Sequence, residues 1–297
     1  MPVIREPAVA GQFYAGTPGG LKSSLRECFL HALGPGSLPE VDEDGPGVID
    51  AIVSPHAGYM YSGPCAANAY AALAADGIPE TAVILGPSHY VAGRRAAVSL
   101  DDGWRTPLGV VRVDRDLGAA LLEASPLLEE DERAHALEHS LEVQLPFLQF
   151  VYGERCPMIC PICVCWYPFG NVDEVAEDAR AIGGVIAKVA GRRRVVVIAS
   201  TDMSHQVSHE RAQRMDRMAI DAILALEPER LLRTVVQRGI TMCGPVPVAI
   251  ALSYCLARGP HEASLLRYCT SGDMTGDRGS VVGYASLTVR RTGGEAT

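Results

Sequence analysis

The stretch Arg194–His205, RVVVIASTDMSH, joins two kinds of sequence. Its first part, Arg194–Ala199, is a run of β-branched and small apolar residues, the pattern of a strand buried on both faces. From Ser200 onward the chain turns polar and ends on Asp202 and His205. In an open α/β sheet, side chains just beyond the carboxyl ends of strands lie where ligands bind. Two other apolar runs end in the same way. Val48–Val53 leads into Ser54-Pro55-His56, and Thr81–Leu85 leads into Gly86-Pro87-Ser88-His89. A fourth string, Met242-Cys243-Gly244, stands just before a helix predicted to start at Pro245. Three histidines, an aspartate and a thiol at such points suggest one polar site able to hold a metal.

Outward from these strings, strands alternate with helices. Helices are predicted near Gly20–Leu33, Gly63–Ala75, Asp114–Ala124, Ser140–Tyr152, Val172–Val189, His209–Leu226, Glu227–Arg238 and Pro245–Ala257. Ala96–Val113 reads as short strands around a Trp104–Gly109 turn, and the strands Ala263–Thr270 and Ser280–Val289 close the chain. This order predicts an α/β fold, one sheet with helices on both faces. No composition break divides the 297 residues, so a single domain with an ordered core of about 5–290 is expected. The Gly- and Pro-rich stretch Gly34–Gly47 is a loop, and the tail Arg291–Thr297 is expected to fray. His56 and His89 are expected on strands that sit side by side.

The net charge of −9, from 26 basic and 35 acidic residues, argues against a nucleic-acid surface. The one dense basic run, Arg192-Arg193-Arg194, reads as a solvated loop. No window approaches the roughly 18 uninterrupted apolar residues of a membrane span, and the first residues lack a signal-peptide pattern. A cytoplasmic protein is therefore expected, and its nine cysteines should be free thiols. Cys156, Cys160, Cys163 and Cys165 lie in an apolar segment too short for a helix. They read as small hydrophobes on a buried strand, the first two on one face and the last two on the other.

The polar strings admit several chemistries. Asp202 reads either as a helix cap or as a partner that orients an imidazole, with His205 three residues on as acid or base. Cys243 at a helix start has a lowered pKa and serves as nucleophile or metal ligand, unless it is a buried structural thiol. Glu138, His139 and Glu142 lie beside His135, but not as H-E-x-x-H. The two glutamates read as solvated helix-face carboxylates, with His139 free to project into the cleft. Gly272–Gly279 reads as a polar connection between the last two strands, and the P-loop, G-x-G-x-x-G and G-x-S-x-G motifs are absent.

Taken in order, REPAVAGQFY (Arg5–Tyr14), PHAGYMYSG (Pro55–Gly63), GPSHY (Gly86–Tyr90), WRTPLG (Trp104–Gly109), EHSLEVQLPFLQ (Glu138–Gln149), STDMSH (Ser200–His205) and MCG (Met242–Gly244) resemble the Memo family. Its prokaryotic members include those named AmmeMemoRadiSam system protein B. The resemblance implies the α/β fold of class III extradiol dioxygenases, which hold Fe(II) with two histidines and a glutamate. By motif position it implies His56, His89 and Cys243 as metal ligands, with a thiolate in place of the glutamate. His205 and Asp202 would stand beside the metal, His205 at the acid/base position. A softer donor set also accepts copper, so the expected cofactor is Fe(II) or Cu, and ring cleavage is not predicted. Gln206 and Arg278 stand where relatives often carry aromatic residues.

Three functions follow as expectations. The first is a metal-dependent redox enzyme acting on a small substrate. The second is a non-catalytic scaffold or metal-handling protein that uses the same cleft for a small molecule or peptide. The third is metal-independent chemistry by Cys243, with His205 as base and Asp202 as orienter. The family name implies an AMMECR1-type protein and a radical SAM enzyme as partners. No nucleic-acid or membrane partner is expected.

Overall fold

The computed structural model describes residues 2–90, 96–165 and 171–293. Among these, the strands are β1 Ile4–Arg5, β2 Ile49–Ser54, β3 Thr81–Pro87, β4 Ala96–Val98, β5 Gly103–Thr106, β6 Gly109–Arg112, β7 Glu129–Glu130, β8 Met158–Val164, β9 Val195–Ser200, β10 His205–Val207, β11 His261–Thr270 and β12 Val281–Arg291. β2, β9, β3 and β8 lie side by side and run parallel. Antiparallel β12 flanks β2, and antiparallel β4 flanks β8. β10 and β11 both pair with β12, and β7 extends beyond β4. β1, β5 and β6 make a separate small sheet.

β9 occupies the centre because its sequence has no polar face. Val195, Val197 and Ala199 point into one apolar core, and Val196 and Ile198 into the other. Burying each of these valine and isoleucine side chains contributes about 1.5–3 kcal/mol. Ile198 is in register with Ile52 of β2 and with Ile84 of β3. The strands carrying His56 and His89 are therefore separated by β9, not adjacent as the sequence suggests. The strand with the fullest apolar pattern takes the fully covered position, although it comes later in the chain.

Helices Pro18–Leu30, Tyr59–Asp76 and Leu145–Tyr152 cover one face. Arg115–Ala124, Val172–Ala190, His209–Leu224, Pro228–Arg238 and Pro245–Ala257 cover the other. Helices Val172–Ala190 and Pro245–Ala257 touch backbone to backbone at Gly183, where a Cβ would lie 2.6 Å from Tyr254 N. No helix of the described residues is long and apolar enough to cross a membrane.

Several local expectations are corrected. Helix Arg115–Ala124 begins after Asp114, whose side chain caps it by accepting from Leu117 N at 3.0 Å. The helix expected over Ser140–Tyr152 is a short 3-10 turn, Glu142–Gln144, followed by a helix starting only at Leu145. Arg193 and Arg194 are not a solvated run. Arg193 pairs with Asp114, and Arg194 pairs with Asp76 at 3.3 Å across the ends of β9 and its neighbours. All nine cysteines are free thiols. Cys160 and Cys163 face opposite cores as alternation requires, but Cys156 precedes β8 and packs on the side of Cys163. Arg291 ends β12, and Thr292 N donates to Pro260 O at 3.0 Å, so fraying does not begin at Arg291. Residues 294–297 of the tail and 166–170 after the cysteine strand lie outside the described residues.

Candidate metal centre

His56 leaves β2 fully buried, and a hydrogen-bond chain fixes its ring. The Ser200 hydroxyl donates to Ser140 O at 2.6 Å. It accepts from Gln144 Nε2 at 2.8 Å. The Gln144 amide has one possible orientation, because Nε2 also donates to Pro55 O at 3.1 Å while Oε1 accepts from Tyr70 OH at 2.7 Å. With its proton already donated, Ser200 Oγ can only accept from His56 Nδ1, 2.8 Å away. The proton is thus on Nδ1, and the Nε2 lone pair faces Cys243 Sγ at 3.2 Å. Burial first, then the neighbouring histidines, holds the His56 pKa well below the usual imidazole value.

His89 is fixed by Glu138. Its Nδ1 donates to Glu138 Oε1 at 2.9 Å and its backbone N to Oε2 at 2.6 Å. Glu138 is not a solvated carboxylate but fully buried. Burial opposes its ionisation, yet the His89 hydrogen bond and charge and the backbone N–H groups of Ser140 and His89 outweigh it, bringing the pKa down to about 2. Glu142 is equally buried. It accepts from Arg5 at 2.7 Å, from Tyr14 OH at 2.6 Å and from the amides of Ala8 and Val9. The segment folds inward because Arg5 reaches three of its residues, donating also to His135 O and Glu138 O at 2.7 Å each. Trp104 lies under the Arg5 guanidinium at 4.2 Å.

Asp202 caps no helix, since residues 201–204 have no regular structure and β10 follows. Its Oδ1 accepts from His56 N at 2.8 Å, tying the ends of β2 and β9 together. Burial raises its pKa. Asp202 N donates to Cys243 Sγ at 3.2 Å. The thiol reaches this place because Gly244 passes against the end of β9, where a Cβ would lie 2.6 Å from Ser200 O. The expected lowering of the Cys243 pKa is overturned: burial, then Asp202, pushes the thiol well above its usual value. A nearby cation reverses that preference, since a coordinating thiol is deprotonated.

His205 is half-buried. Its backbone N donates to Thr241 Oγ1 at 2.6 Å, and its Nδ1 donates to Thr241 O at 2.7 Å. The next residue, Gln206, has φ 56°, and the pairing with β12 shifts register there, a bulge that sets the direction of His205. Asp202 therefore anchors a backbone amide rather than the His205 ring, and the group at hydrogen-bond reach of Cys243 is His56. Among the described residues the His205 ring hydrogen-bonds to Thr241 O, and the Asp202 carboxylate to the His56 backbone.

His139 joins the cluster from the Glu138 segment. His56, His89 and His139 each offer a ring nitrogen within 4.8 Å of the others. Ring centroids of His89 and His139 are 4.5 Å apart, and those of His56 and His139 are 5.5 Å apart. Phe13 packs on His139 at 4.6 Å. Burial, then His89, lowers the His139 pKa to about 4. Its Nδ1 is buried with no hydrogen-bond partner. Three imidazoles gathered within this 4.8 Å span, with the Cys243 thiol against one of them, form a donor set that suits a metal ion.

A family model described as Memo-like protein matches residues 5–288. The chain belongs to the Memo family. A MEMO1 family protein of Methanopyrus kandleri is 45% identical over 289 residues, 97% of this Memo chain and 99% of that protein. One from Sulfolobus acidocaldarius is 40% identical over 290 residues, 96% and 99% of the two chains. An uncharacterized Escherichia coli K12 protein of known crystal structure superposes with a TM-score of 0.55 at 12% identity, covering 81% of the Memo chain and 99% of its own. That likeness is one of fold, the α/β sheet with helices on both faces.

Proposed function

We propose that this Memo chain is a metal-dependent redox enzyme whose centre holds Fe(II) or Cu through His56, His89 and Cys243. The observation that carries the reading is the convergence of His56 Nε2 and Cys243 Sγ at 3.2 Å beside the His89 ring. Both histidines have Nδ1 engaged outside the cluster, by Ser200 and by Glu138. That is the usual support for a ligating imidazole, because it fixes the tautomer and strengthens the donor. The bound metal would supply Lewis-acid and electron-transfer chemistry. The chain's own groups would supply the rest. His205, held at Nδ1 by Thr241, presents its other ring nitrogen as acid or base toward a small substrate. Asp202 holds the His56 backbone in place and adds negative charge beside the thiolate.

A second reading, a non-catalytic metal-handling or scaffold protein, is favoured by the thiolate itself, which binds soft metals tightly and suits O₂ chemistry less than a carboxylate does. An AMMECR1-type protein and a radical SAM enzyme would be the partners in either case. Metal analysis of protein purified without oxygen, repeated on His56→Ala and Cys243→Ser, tests the centre. Unchanged metal content in both variants would reject it. Turnover that disappears in His205→Ala with metal retained separates the enzyme from the metal-handling protein.

A further inference from the structure

We propose that His139 is a third nitrogen ligand, so that the centre consists of three imidazoles and one thiolate. The inference rests on the metal-centre reading above and goes beyond its three ligands. A ring nitrogen of His139 lies within 4.8 Å of those of His56 and His89, a spread that one ion can span with small side-chain adjustment. The orphaned Nδ1 is the independent observation. It is buried, and the carboxylate oxygen beside it, Glu138 Oε1, stands at 3.5 Å. That oxygen already receives His89 Nδ1–H at 2.9 Å and Ser140 N–H at 2.8 Å. A buried ring nitrogen left in this way calls for a partner, and an ion held by the ring is one.

The position is also built. Phe13 packs on the ring at 4.6 Å, and Arg5 fixes the segment on either side through His135 O, Glu138 O and Glu142. His139 thus meets the requirement that a ligand be held by its surroundings before the metal arrives. Cys243 lies against His56 Nε2 at 3.2 Å. The four donors come from the ends of β2 and β3, from the segment before Glu142, and from the start of helix Pro245–Ala257.

The probe is cobalt(II), added to metal-free full-length protein, with proton NMR used to count ligated rings. Three sets of far-shifted imidazole ring-proton signals are expected in the unaltered protein, alongside a thiolate-to-cobalt charge-transfer band. His139→Gln should lose one set, keep the band and bind cobalt at least about tenfold more weakly, the usual scale for losing a supporting group or more. Two sets in the unaltered protein would overturn the proposal while leaving the His56, His89 and Cys243 centre intact. No shifted imidazole signal at all would overturn both. The count in the unaltered protein decides the matter even if the variant folds poorly.

Discussion

Ser200 has one hydroxyl proton, and Ser140 O takes it at 2.6 Å. From that fact the tautomer of His56 follows, and with it the direction of the lone pair that faces Cys243. Ser200→Ala removes the acceptor of His56 Nδ1–H and should weaken metal binding about 10- to 100-fold, as measured by competition with a chelator of known affinity. His135 gives a second prediction at this scale. Burial, then Arg5, lowers its pKa to about 4, while the unfolded chain keeps the ordinary value near 6.5. Between those values the unfolded state binds the extra proton, so stability falls as the pH drops from 6.5 toward 4, by about 3 kcal/mol in all. Urea unfolding across that range should show the slope, to which His56 and His139 add with the same sign, and His135→Gln should make it shallower without abolishing it. The candidate histidines at strand ends were legible because Pro and Gly mark where a strand stops. The tautomer of His56 and the orphaned Nδ1 of His139 were not, because they depend on contacts between residues such as Ser140 and Ser200 that sequence proximity does not link.

At the scale of elements, Gly244 decides where helix Pro245–Ala257 begins. A methyl group there would meet Ser200 O and Thr201 at less than 3 Å, both in backbone or β-branched positions that yield little. Gly244→Ala should cost about 1–3 kcal/mol by chemical denaturation and displace Cys243 enough to lower metal affinity as well. The strands and most helices were legible from apolar runs and spacing. The helix at Pro245 starts where its sequence indicates, since proline is favoured in a first turn. The segment Glu138–Gln144 misleads for a physical reason. Leu141, Leu145 and Leu148 keep helical spacing, but two buried carboxylates and Arg5 draw the chain inward, and the regular helix waits until the turn that contains Pro146. The order of strands was also out of reach, because nothing local in β9 states which neighbours it separates.

For the whole molecule, residues 5–14 act through Glu142. Arg5, Ala8, Val9 and Tyr14 all donate to its carboxylate, and Phe13 from the same segment packs on His139. Glu142→Ala leaves the Arg5 guanidinium buried without its counter-charge and should cost about 3–5 kcal/mol. Hydrogen exchange should show residues 5–14 losing protection in that variant more than β2, β3 or β9 do. The insertion of β9 between β2 and β3 bears on the life of the chain before it is complete. A ribosome that has released only the first half of the polypeptide has delivered His56 and His89, yet the strand that spaces them and carries Ser200 is still unmade. The histidines can have their final separation only once Val195–Ser200 lies between β2 and β3. A metal bound at these histidines would therefore meet its final geometry only after Val195–Ser200 has been made.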